Sequence, residues 1–261
     1  MTTPAPLSGK LAIVTGGGRG IGRATAMALA ARGADIVLLG RTERTLKATA
    51  VDIRLESDVT VHARTLDITD GDAVEATFSG LIAALGPPAI LVNNAGGAES
   101  APFTRLDRDS WDATLALNLT GVYACTHAVL PAMLAAGYGR IVNIASTAGL
   151  VGFPYVAAYC AAKHGVVGLT KSLAQEVADK GINVNAVCPG FTDTDMLQES
   201  VRNIAAKTGR TEAQARDELA ATNAHGKLIQ PGEVADMVVA LCGPAANGVT
   251  GQAIEITGED S

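Results

Sequence analysis

Tyr159 and Lys163 lie four residues apart, within a stretch of the chain whose pattern predicts a helix. That spacing places both side chains on one face of the helix, one turn apart. A nearby ammonium favours the charged form of a phenol, so we expect Lys163 to lower the pKa of Tyr159. Such a tyrosine can give and take a proton near neutral pH, as a general acid and base does.

Two polar residues upstream of this pair, Ser146 and Asn118, support a catalytic interpretation. Ser146 lies thirteen residues before Tyr159, directly after a predicted strand, and its hydroxyl can polarise a carbonyl through a hydrogen bond. Each residue also has a structural explanation by itself. A tyrosine can simply pack, a lysine can be solvated, Ser146 can cap a turn, and Asn118 can bond to backbone. The prediction therefore depends on these residues occurring together.

A glycine-rich turn lies between the first predicted strand, residues 11–15, and the helix that follows it. Glycines let backbone amides approach a pyrophosphate, and the helix N-terminus favours negative charge. A flexible surface turn would also be rich in glycine, but the position directly between a strand and a helix favours a dinucleotide site. The spacing is Gly-x-x-x-Gly-x-Gly rather than Gly-x-Gly-x-x-Gly, in the run Gly16-Gly17-Gly18-Arg19-Gly20-Ile21-Gly22.

The residues after the second predicted strand indicate which nicotinamide cofactor the chain prefers. NAD sites use an acidic residue there to hold the ribose 2′-hydroxyl, whereas this strand ends in Gly40-Arg41, with Arg44 and Lys47 behind. Arg19, in the glycine turn, can point the same way. Because arginine can bind a phosphate through two hydrogen bonds, we predict NADP(H). NAD(H) is the alternative if these charges are only solvated.

The elements that must position these residues alternate along the chain, as short β-branched strands followed by longer helical patterns. This alternation predicts a parallel sheet with helices on both faces. Since no linker or change of composition divides the chain, we predict a single doubly wound α/β domain of the Rossmann type over residues 1–261, with about seven mainly parallel strands. Ligands bind such sheets where the strands end, and there we expect Thr15, Asn93, Ser146 and Pro189 to converge.

A polar stretch from Thr192 to Gly226 is long for a connection and is predicted to be an irregular segment that acts as a substrate lid. We expect the wall of the substrate pocket to include residues 97–100, residues 150–153 and Tyr155. The basic residues of the lid suit the phosphate of an acyl carrier or coenzyme A, although they can equally be a solvated helix face. These residues are Arg202, Lys207, Arg210 and Arg216.

The composition argues against several classes of partner and site. The net charge is −6 and no basic run is present, which argues against nucleic acid or an anionic membrane as a partner. The first six residues lack the features of a secretory signal, and no apolar run approaches the ~18 residues that a spanning helix needs. The four cysteines and four histidines show no metal-ligand spacing. We therefore expect reduced thiols, no metal and a cytoplasmic location.

In their order and separations, these motifs resemble the short-chain dehydrogenase/reductase family over essentially the whole chain. The segment from Gly139 to Gly190 is especially similar to bacterial ketoreductases of β-ketoacyl thioesters and polyketides, and to hydroxyacyl-CoA dehydrogenases. The motifs that carry the resemblance are the glycine turn from Thr15 to Gly22, Asp67, Asn93-Asn94-Ala95-Gly96, Asn118, Ser146, Tyr159-Cys160-Ala161-Ala162-Lys163 and Pro189-Gly190.

The resemblance implies a role for each matching position. Tyr159 would exchange a proton with the substrate, Ser146 would hydrogen-bond its oxygen, and Lys163 would tune Tyr159 and hold the nicotinamide ribose. Asn118 would hold a water that links Lys163 to solvent. Asn93 would stabilise the central strand. The implied cofactor-binding residues are Gly16, Arg19, Gly20, Ile21, Gly22, Arg41, Asp67, Ile68, Asn94, Ala95, Gly96, Tyr159, Lys163, Pro189, Gly190, Thr192 and Thr194.

The resemblance also implies an activity, namely reduction of a 3-oxoacyl thioester or a related ketone with NADPH. One alternative is NAD-linked oxidation of a hydroxyacyl-CoA or of a cyclic or aryl secondary alcohol. A second is a protein that senses the cofactor without catalysis, although such proteins usually lose the tyrosine or the lysine. Most members of the family form tetramers, so a homotetramer is expected.

Overall fold

The computed structural model describes residues 5–258, and within them the chain forms one seven-stranded sheet in the order β3-β2-β1-β4-β5-β6-β7. Every neighbouring pair of strands is parallel. This confirms the predicted doubly wound parallel sheet. Residues 1–4, on which the expectation of no secretory signal partly depends, lie outside the described part. The strands are β1 (Leu11–Thr15), β2 (Asp35–Gly40), β3 (Val61–Thr65), β4 (Ile90–Asn93), β5 (Gly139–Ile144), β6 (Ile182–Pro189) and β7 (Ala253–Ile256).

The helices cover both faces of the sheet and divide the hydrophobic core in two. On one face, Leu29, Leu46 and Val238 join a cluster with alternate residues of the strands. On the other face, Phe78 and Met133 do the same. Side chains alternate across a strand, so the inner strands are apolar on both sides and read as continuous apolar runs. The α-helices are α1 (Gly20–Ala31), α2 (Glu43–Glu56), α3 (Gly71–Leu85), α4 (Arg108–Leu115), α5 (Gly121–Ala136), α6 (Ala157–Val177), α7 (Asp195–Thr208), α8 (Glu212–Ala220) and α9 (Pro231–Cys242).

The strand order reverses between β1 and β4, which creates the crevice where such sheets bind ligands. Thr15 closes β1, and its hydroxyl accepts hydrogen bonds from the backbone amides of Asn94 and Ala95, both at 3.0 Å. These bonds fix the segment after β4 beside the glycine turn after β1. Two motifs that are about eighty residues apart in sequence are thereby joined at one end of the sheet.

A buried chain of polar side chains fastens β4 and β5 to the helices behind them. The Asn93 amide donates to Asn143 Oδ1 at 2.8 Å and to Thr126 Oγ1 at 2.9 Å. The Asn143 amide in turn donates to Thr170 Oγ1 at 2.8 Å. Buried amides must be paired to avoid a desolvation cost, so this chain fixes the positions of α5 and α6 against the sheet.

The helical region from Arg108 to Ala136 contains a π-helical turn, Ala116–Thr120, between α4 and α5. By length and composition alone this region is apolar enough to cross a membrane, so the expectation that no such run exists was wrong. The same test is passed by core helices of soluble proteins, and α5 does pack its Val129 and Met133 into the core. The π turn holds Asn118, which is fully buried.

The segment predicted to be irregular, residues 192–226, instead contains α7 and α8. The Thr194 hydroxyl accepts from the Leu197 amide at the start of α7, and Thr211 forms a capping box with Gln214 at the start of α8. Leu197 and Val201 form one apolar stripe that is buried against α8. The polar composition of the segment concealed this stripe, because two short amphipathic helices need few apolar residues to pack together.

Candidate active site

Tyr159 and Lys163 lie near the start of α6 and face the same side, as their spacing predicted. The Lys163 ammonium lies 5.5 Å from the centre of the Tyr159 ring. It also donates a hydrogen bond at 2.7 Å to the backbone oxygen of Ile144, the last residue of β5. Lys163 is 3% exposed, so its position is set by this bond and by the surrounding protein.

The surroundings shift both pKa values, and the shift of Tyr159 is opposite to the expected one. Burial raises the pKa of the half-buried Tyr159, and a hydrogen bond with Ser146 offsets this only in part. The prediction that Lys163 lowers this pKa was wrong for this structure, because desolvation of the phenolate dominates. Burial lowers the pKa of Lys163 to about 8. At neutral pH the phenol therefore keeps its proton.

Ser146 reaches Tyr159 because the turn that follows it is pressed against α6. Its hydroxyl accepts from the Ala148 amide at 3.1 Å, so the capping alternative is real, yet Ser146 also bonds to Tyr159. A Cβ added to Gly149 would lie 2.7 Å from the backbone oxygen of Lys163. Only glycine permits this approach, which sets the distance between the serine and the tyrosine.

Sequence reasoning missed a contribution of Cys188, the residue before the end of β6. Its thiol is fully buried and bonds with the Ser146 backbone amide. Burial raises the pKa of this thiol to about 11, so the sulfur stays protonated and neutral. A lone cysteine in a strand carries no spacing signal, and only the fold shows that it supports Ser146.

Asn118 lies beside Lys163, but its side-chain amide is hydrogen-bonded to the neighbouring backbone. Its Oδ1 accepts from the Gly97 amide at 3.1 Å, and its Nδ2 donates to the oxygens of Gly97 and Thr114 at 2.9 and 3.0 Å. A Cβ on Gly96 would lie 2.9 Å from Asn118 Oδ1 and 3.8 Å from Lys163 Nζ. The described contacts are those of a residue that fixes the segment after β4, and the water-holding role stays a prediction.

The glycine turn after β1 has the tight geometry that a dinucleotide site needs. Gly16 and Gly20 have φ values of +66° and +51°, which favour glycine. A Cβ on Gly22 would clash with the Gly16 oxygen, and the Asn94 side chain donates to that oxygen at 3.3 Å. Since α1 begins at Gly20, its unpaired first-turn amides and its dipole lie at this turn. These residues, Ile21 among them, fit the pyrophosphate of a nicotinamide dinucleotide.

The basic residues expected to read the cofactor have partners that the sequence did not reveal. Arg19 lies 3.9 Å from Asp195, with both side chains more than half exposed, and Lys47 is bonded to Glu43 at 2.6 Å. Arg41 is exposed directly after β2. It lies close enough to contribute to the lowered pKa of Asp67, although hydrogen bonds from Thr69 are the main cause.

Asp67 and Ile68, two of the implied cofactor-binding residues, face different ways. Asp67 follows β3 and is partly exposed near Arg41. The Ile68 side chain is buried against α5, where a Cβ on Gly121 would lie 2.7 Å from it. Only the backbone of Ile68 is left to face the crevice.

The start of the segment after β6 lies against the glycine turn. The Gly190 amide, directly after Pro189, donates to the Ile256 oxygen at 3.0 Å, and the Thr192 hydroxyl donates to the Gly190 oxygen at 3.1 Å. A Cβ on Gly20 would lie 3.2 Å from the Thr194 methyl group. The fold thus brings the C-terminal cofactor-binding candidates next to the N-terminal ones.

Two contacts that sequence reasoning missed hold this segment in place. Asn223 accepts from the Phe191 amide at 2.9 Å and donates to the Phe191 oxygen at 2.9 Å. Arg216 binds both carboxylate oxygens of Asp193, at 3.1 and 2.6 Å, and Arg210 pairs with Glu218 at 3.3 Å. Two of the basic residues offered for a phosphate are therefore ion-paired within the lid. The partners of Asn223 and Arg216 are more than twenty residues away in sequence, and the pair of Arg210 and Glu218 matches no motif. The sequence therefore gave no signal for any of these contacts.

A cleft beside the start of α6 is lined by Glu99, Ser100 and Tyr155, as expected, whereas residues 97–98 and 150–153, which were also expected in the pocket wall, do not line it. Leu106 and Thr114 complete the wall from the side of α4. A larger cavity of about 500 Å³ lies at the opposite edge, where the strands begin, among residues such as Lys10 and Pro88. That cavity is separated from Tyr159 by the length of the sheet, so the smaller cleft is the candidate substrate site.

Comparison with known proteins gives consistent matches. A family model described as short chain dehydrogenase matches residues 10–205. A protein of Streptomyces coelicolor assigned as a ketoacyl reductase is 40% identical over 95% of this chain and 96% of its own length. The 3-oxoacyl-[acyl-carrier-protein] reductase FabG of Vibrio harveyi is 38% identical over 97% of each chain. A crystal structure of an actinorhodin polyketide ketoreductase with NADPH superposes with a TM-score of 0.91 at 39% identity, covering 99% of this chain and 98% of that chain.

Proposed function

Since the chain belongs to the short-chain dehydrogenase/reductase family, and is an enzyme that interconverts a ketone and a secondary alcohol with a nicotinamide cofactor, we propose that it reduces a 3-oxoacyl thioester or a related ketone with NADPH. The observation that carries this proposal is the half-buried phenol of Tyr159, bonded to Ser146 and facing the Lys163 ammonium. A phenol with a raised pKa holds its proton at neutral pH. Such a group can donate its proton to a ketone oxygen, which the reduction requires.

The proposed chemistry divides between the cofactor and the three side chains. When bound, the nicotinamide supplies the hydride that reaches the carbonyl carbon. Tyr159 donates its hydroxyl proton to the carbonyl oxygen, and the Ser146 hydroxyl holds the same oxygen through a hydrogen bond. The phenolate that remains faces the Lys163 ammonium, whose positive charge stabilises it until a proton returns.

The residues proposed to hold the cofactor follow the crevice between β1 and β4. The turn from Gly16 to Gly22 and the amides at the start of α1 would bind the pyrophosphate. We expect Asn94, Ala95 and Gly96 to line one side of the crevice, and Gly190, Thr192 and Thr194 the other. Asp67 and the Ile68 backbone would border the adenine.

The preference for NADPH rests on Arg41, with Arg19 as a second candidate. Arg41 is exposed directly after β2, at the position where NAD sites place a carboxylate. A guanidinium there suits a 2′-phosphate, which arginine binds through two parallel hydrogen bonds. The carboxylates of Asp67, near Arg41, and of Asp195, near Arg19, offset part of this positive charge.

The substrate class follows from the names of the relatives and from the cleft. Both a ketoacyl reductase and a 3-oxoacyl-[acyl-carrier-protein] reductase align over nearly the whole chain. The cleft adds only that the substrate would meet small and apolar residues such as Ser100 and Leu106 together with the charged Glu99 and Arg105; at about 60 Å³ it does not enclose an acyl chain.

The proposal is tested by following nicotinamide absorbance while NADPH and NADH are each offered with 3-oxoacyl thioesters, cyclic ketones and aryl ketones. We expect turnover of 3-oxoacyl thioesters with NADPH to be the most efficient combination. Efficient NAD-linked oxidation of secondary alcohols, with slow reduction, would reverse the proposed direction. Cofactor binding without turnover of any carbonyl or alcohol would point instead to a sensing protein.

We also propose that the protein is cytoplasmic and forms a homotetramer, and the assembly is supported by the exposed stripe along α5. Tyr123 and Leu134 are 52% and 37% exposed, and the Tyr123 ring lies 5.5 Å from that of His127 on the same face. Apolar residues on an exposed helix face suit contact with a second copy. Light scattering of the wild type and of the Tyr123→Glu variant tests this, because a charge at a buried contact would dissociate the assembly. A monomeric wild type would contradict it.

A further inference from the structure

Tyr155 has a strained backbone at the entrance of the cleft. Among residues 5–258 it is the one non-glycine residue with a positive φ, at +67°. Bulky side chains rarely adopt this region, because the side chain crowds the backbone, and the conformation costs stability. Glycine would adopt it without that cost.

Contacts on both sides hold the loop around Tyr155 in this shape. The Tyr155 oxygen accepts from the Ala101 amide at 2.8 Å, which joins the loop to the segment after β4. Two residues earlier in the chain, the Phe153 amide donates to Cys160 Sγ at 3.4 Å. The Phe153 ring lies edge-on to the Phe191 ring, with the two ring centres 6.3 Å apart. These contacts use the backbone of Tyr155 and its neighbours, and none of them needs the Tyr155 ring.

The ring itself extends into the cleft entrance. Tyr155 is 64% exposed, yet it lines the same cleft as Glu99 and Leu106, and it lies four residues before Tyr159. Phe103, which follows Ala101 by two residues, is 74% exposed, and Val151 is 56% exposed. The hydrogen bond between Tyr155 and Ala101 ties the loop that carries Val151 to the segment that carries Phe103.

An exposed ring kept at a strained position, where folding does not need it, calls for a role in binding. We propose that Tyr155 is a specificity-determining residue, whose ring packs against the apolar or aromatic body of the ketone beyond the reacting carbonyl. This inference rests on the proposed reduction of a ketone and adds which part of the substrate is recognised. The strain keeps the ring directed at the entrance rather than folded onto the protein surface.

The test compares three substitutions on two substrates that share the reacting group. Tyr155→Gly removes the ring and the strain, Tyr155→Ala removes the ring and keeps the strain, and Tyr155→Phe keeps both. The substrates are the N-acetylcysteamine thioesters of 3-oxobutanoate and of 5-phenyl-3-oxopentanoate, which differ by an aryl body on the far side of the ketone.

We expect both the glycine and the alanine variants to raise KM for the aryl substrate by roughly three- to tenfold, the worth of one aromatic contact. KM for the small substrate and kcat for both should change less than about twofold, because Tyr159 and Ser146 are untouched. Tyr155→Phe should match the wild type. The thermal midpoint should rise by about 2 to 4 °C in Tyr155→Gly only, since strain is relieved only there.

Several outcomes would overturn the inference. These are an unchanged KM for the aryl substrate in both truncated variants, an equal rise for both substrates, or a phenylalanine variant that behaves like the glycine variant. An equal thermal midpoint in the glycine and alanine variants would show that the backbone of Tyr155 is not strained. A wild type that reduces neither thioester would overturn the proposed function, and this inference with it, whereas the thermal comparison is independent of activity.

Discussion

The guanidinium of Arg216 on α8 binds both carboxylate oxygens of Asp193, at 3.1 and 2.6 Å. Asp193 lies between Thr192 and Thr194, which border the crevice, and it also accepts from the Gln198 side chain at 3.2 Å. A two-point ion pair fixes orientation as well as distance. The second helix of the lid is therefore connected directly to the residues proposed to hold the cofactor.

Loss of this ion pair should loosen the lid without unfolding the protein. We expect Arg216→Ala to raise KM for NADPH several-fold and to speed proteolytic cleavage within residues 195–220, because a partly exposed pair contributes only about 1 kcal/mol to stability. Arg210→Ala is the matched control, since it breaks the exposed pair with Glu218. Equal effects of the two substitutions would show that the contact with Asp193 has no special role.

Replacing the phenol should abolish proton donation and spare the binding sites. We expect Tyr159→Phe to lower kcat by about 10² to 10⁴, the usual worth of a general acid, while the Kd for NADPH changes less than about twofold. Steady-state kinetics and nucleotide fluorescence give the two values. Tyr138→Phe, at the end of the sheet where the strands begin, is the control and should keep full activity. A Tyr159→Phe variant with most of its rate would remove this residue from the mechanism.

The buried Lys163 should make stability rise with pH. Its pKa is lowered from 10.5 to about 8 by burial, so between these values the unfolded chain holds a proton that the folded chain has released. Folding is then favoured by increasing pH through this window, and the cost of burying the charge is fully present below pH 8. We expect the unfolding free energy of the wild type, minus that of Lys163→Met, to increase from pH 8 to pH 10.5.

Urea unfolding without added nucleotide, at several pH values, measures this difference. The comparison with the variant is needed because burial raises the pKa of the Cys125 and Cys242 thiols to about 12, which makes stability fall with pH in both proteins. A difference that stays constant with pH would mean that Lys163 is not held in a desolvated site.

Cofactor preference should depend on Arg41. We expect Arg41→Ala to raise KM for NADPH by about 10- to 100-fold, since a charge-assisted hydrogen bond is worth about 1.5 to 3 kcal/mol, and to leave KM for NADH unchanged. Arg32→Ala, which removes an exposed arginine at the opposite end of α1, is the control. Equal losses with both cofactors, or none with either, would contradict the assignment.

The parts of the fold that the sequence predicted are those set by local pattern. Alternating strands and helices gave the parallel sheet, and the four-residue spacing gave the common face of Tyr159 and Lys163, because both follow from the periods of regular backbone. The glycine turn was recognisable for the same reason. Its position between a strand and a helix is itself a local feature.

The parts that escaped prediction depend on burial or on distant contacts. The pKa of Tyr159 is raised because the surrounding fold desolvates it, which no spacing reveals. Asn223 holds the backbone of Phe191 across 32 positions. The helix around Val201 was hidden by its polar surface, and the positive φ of Tyr155 is imposed by neighbours such as Ala101 rather than by its own preference.

The contact between Thr194 and Gly20 has a kinetic consequence. Since the methyl group of Thr194 lies close to Gly20, where α1 begins, a dinucleotide bound at this turn would contact Thr194 and hold it in place. The same stretch of chain includes Phe191, whose ring packs edge-on against Phe153 in the loop that carries Tyr155. Binding of the nucleotide would thereby affect the loop beside the substrate cleft. We expect an ordered mechanism in which the nucleotide binds first and dissociates last.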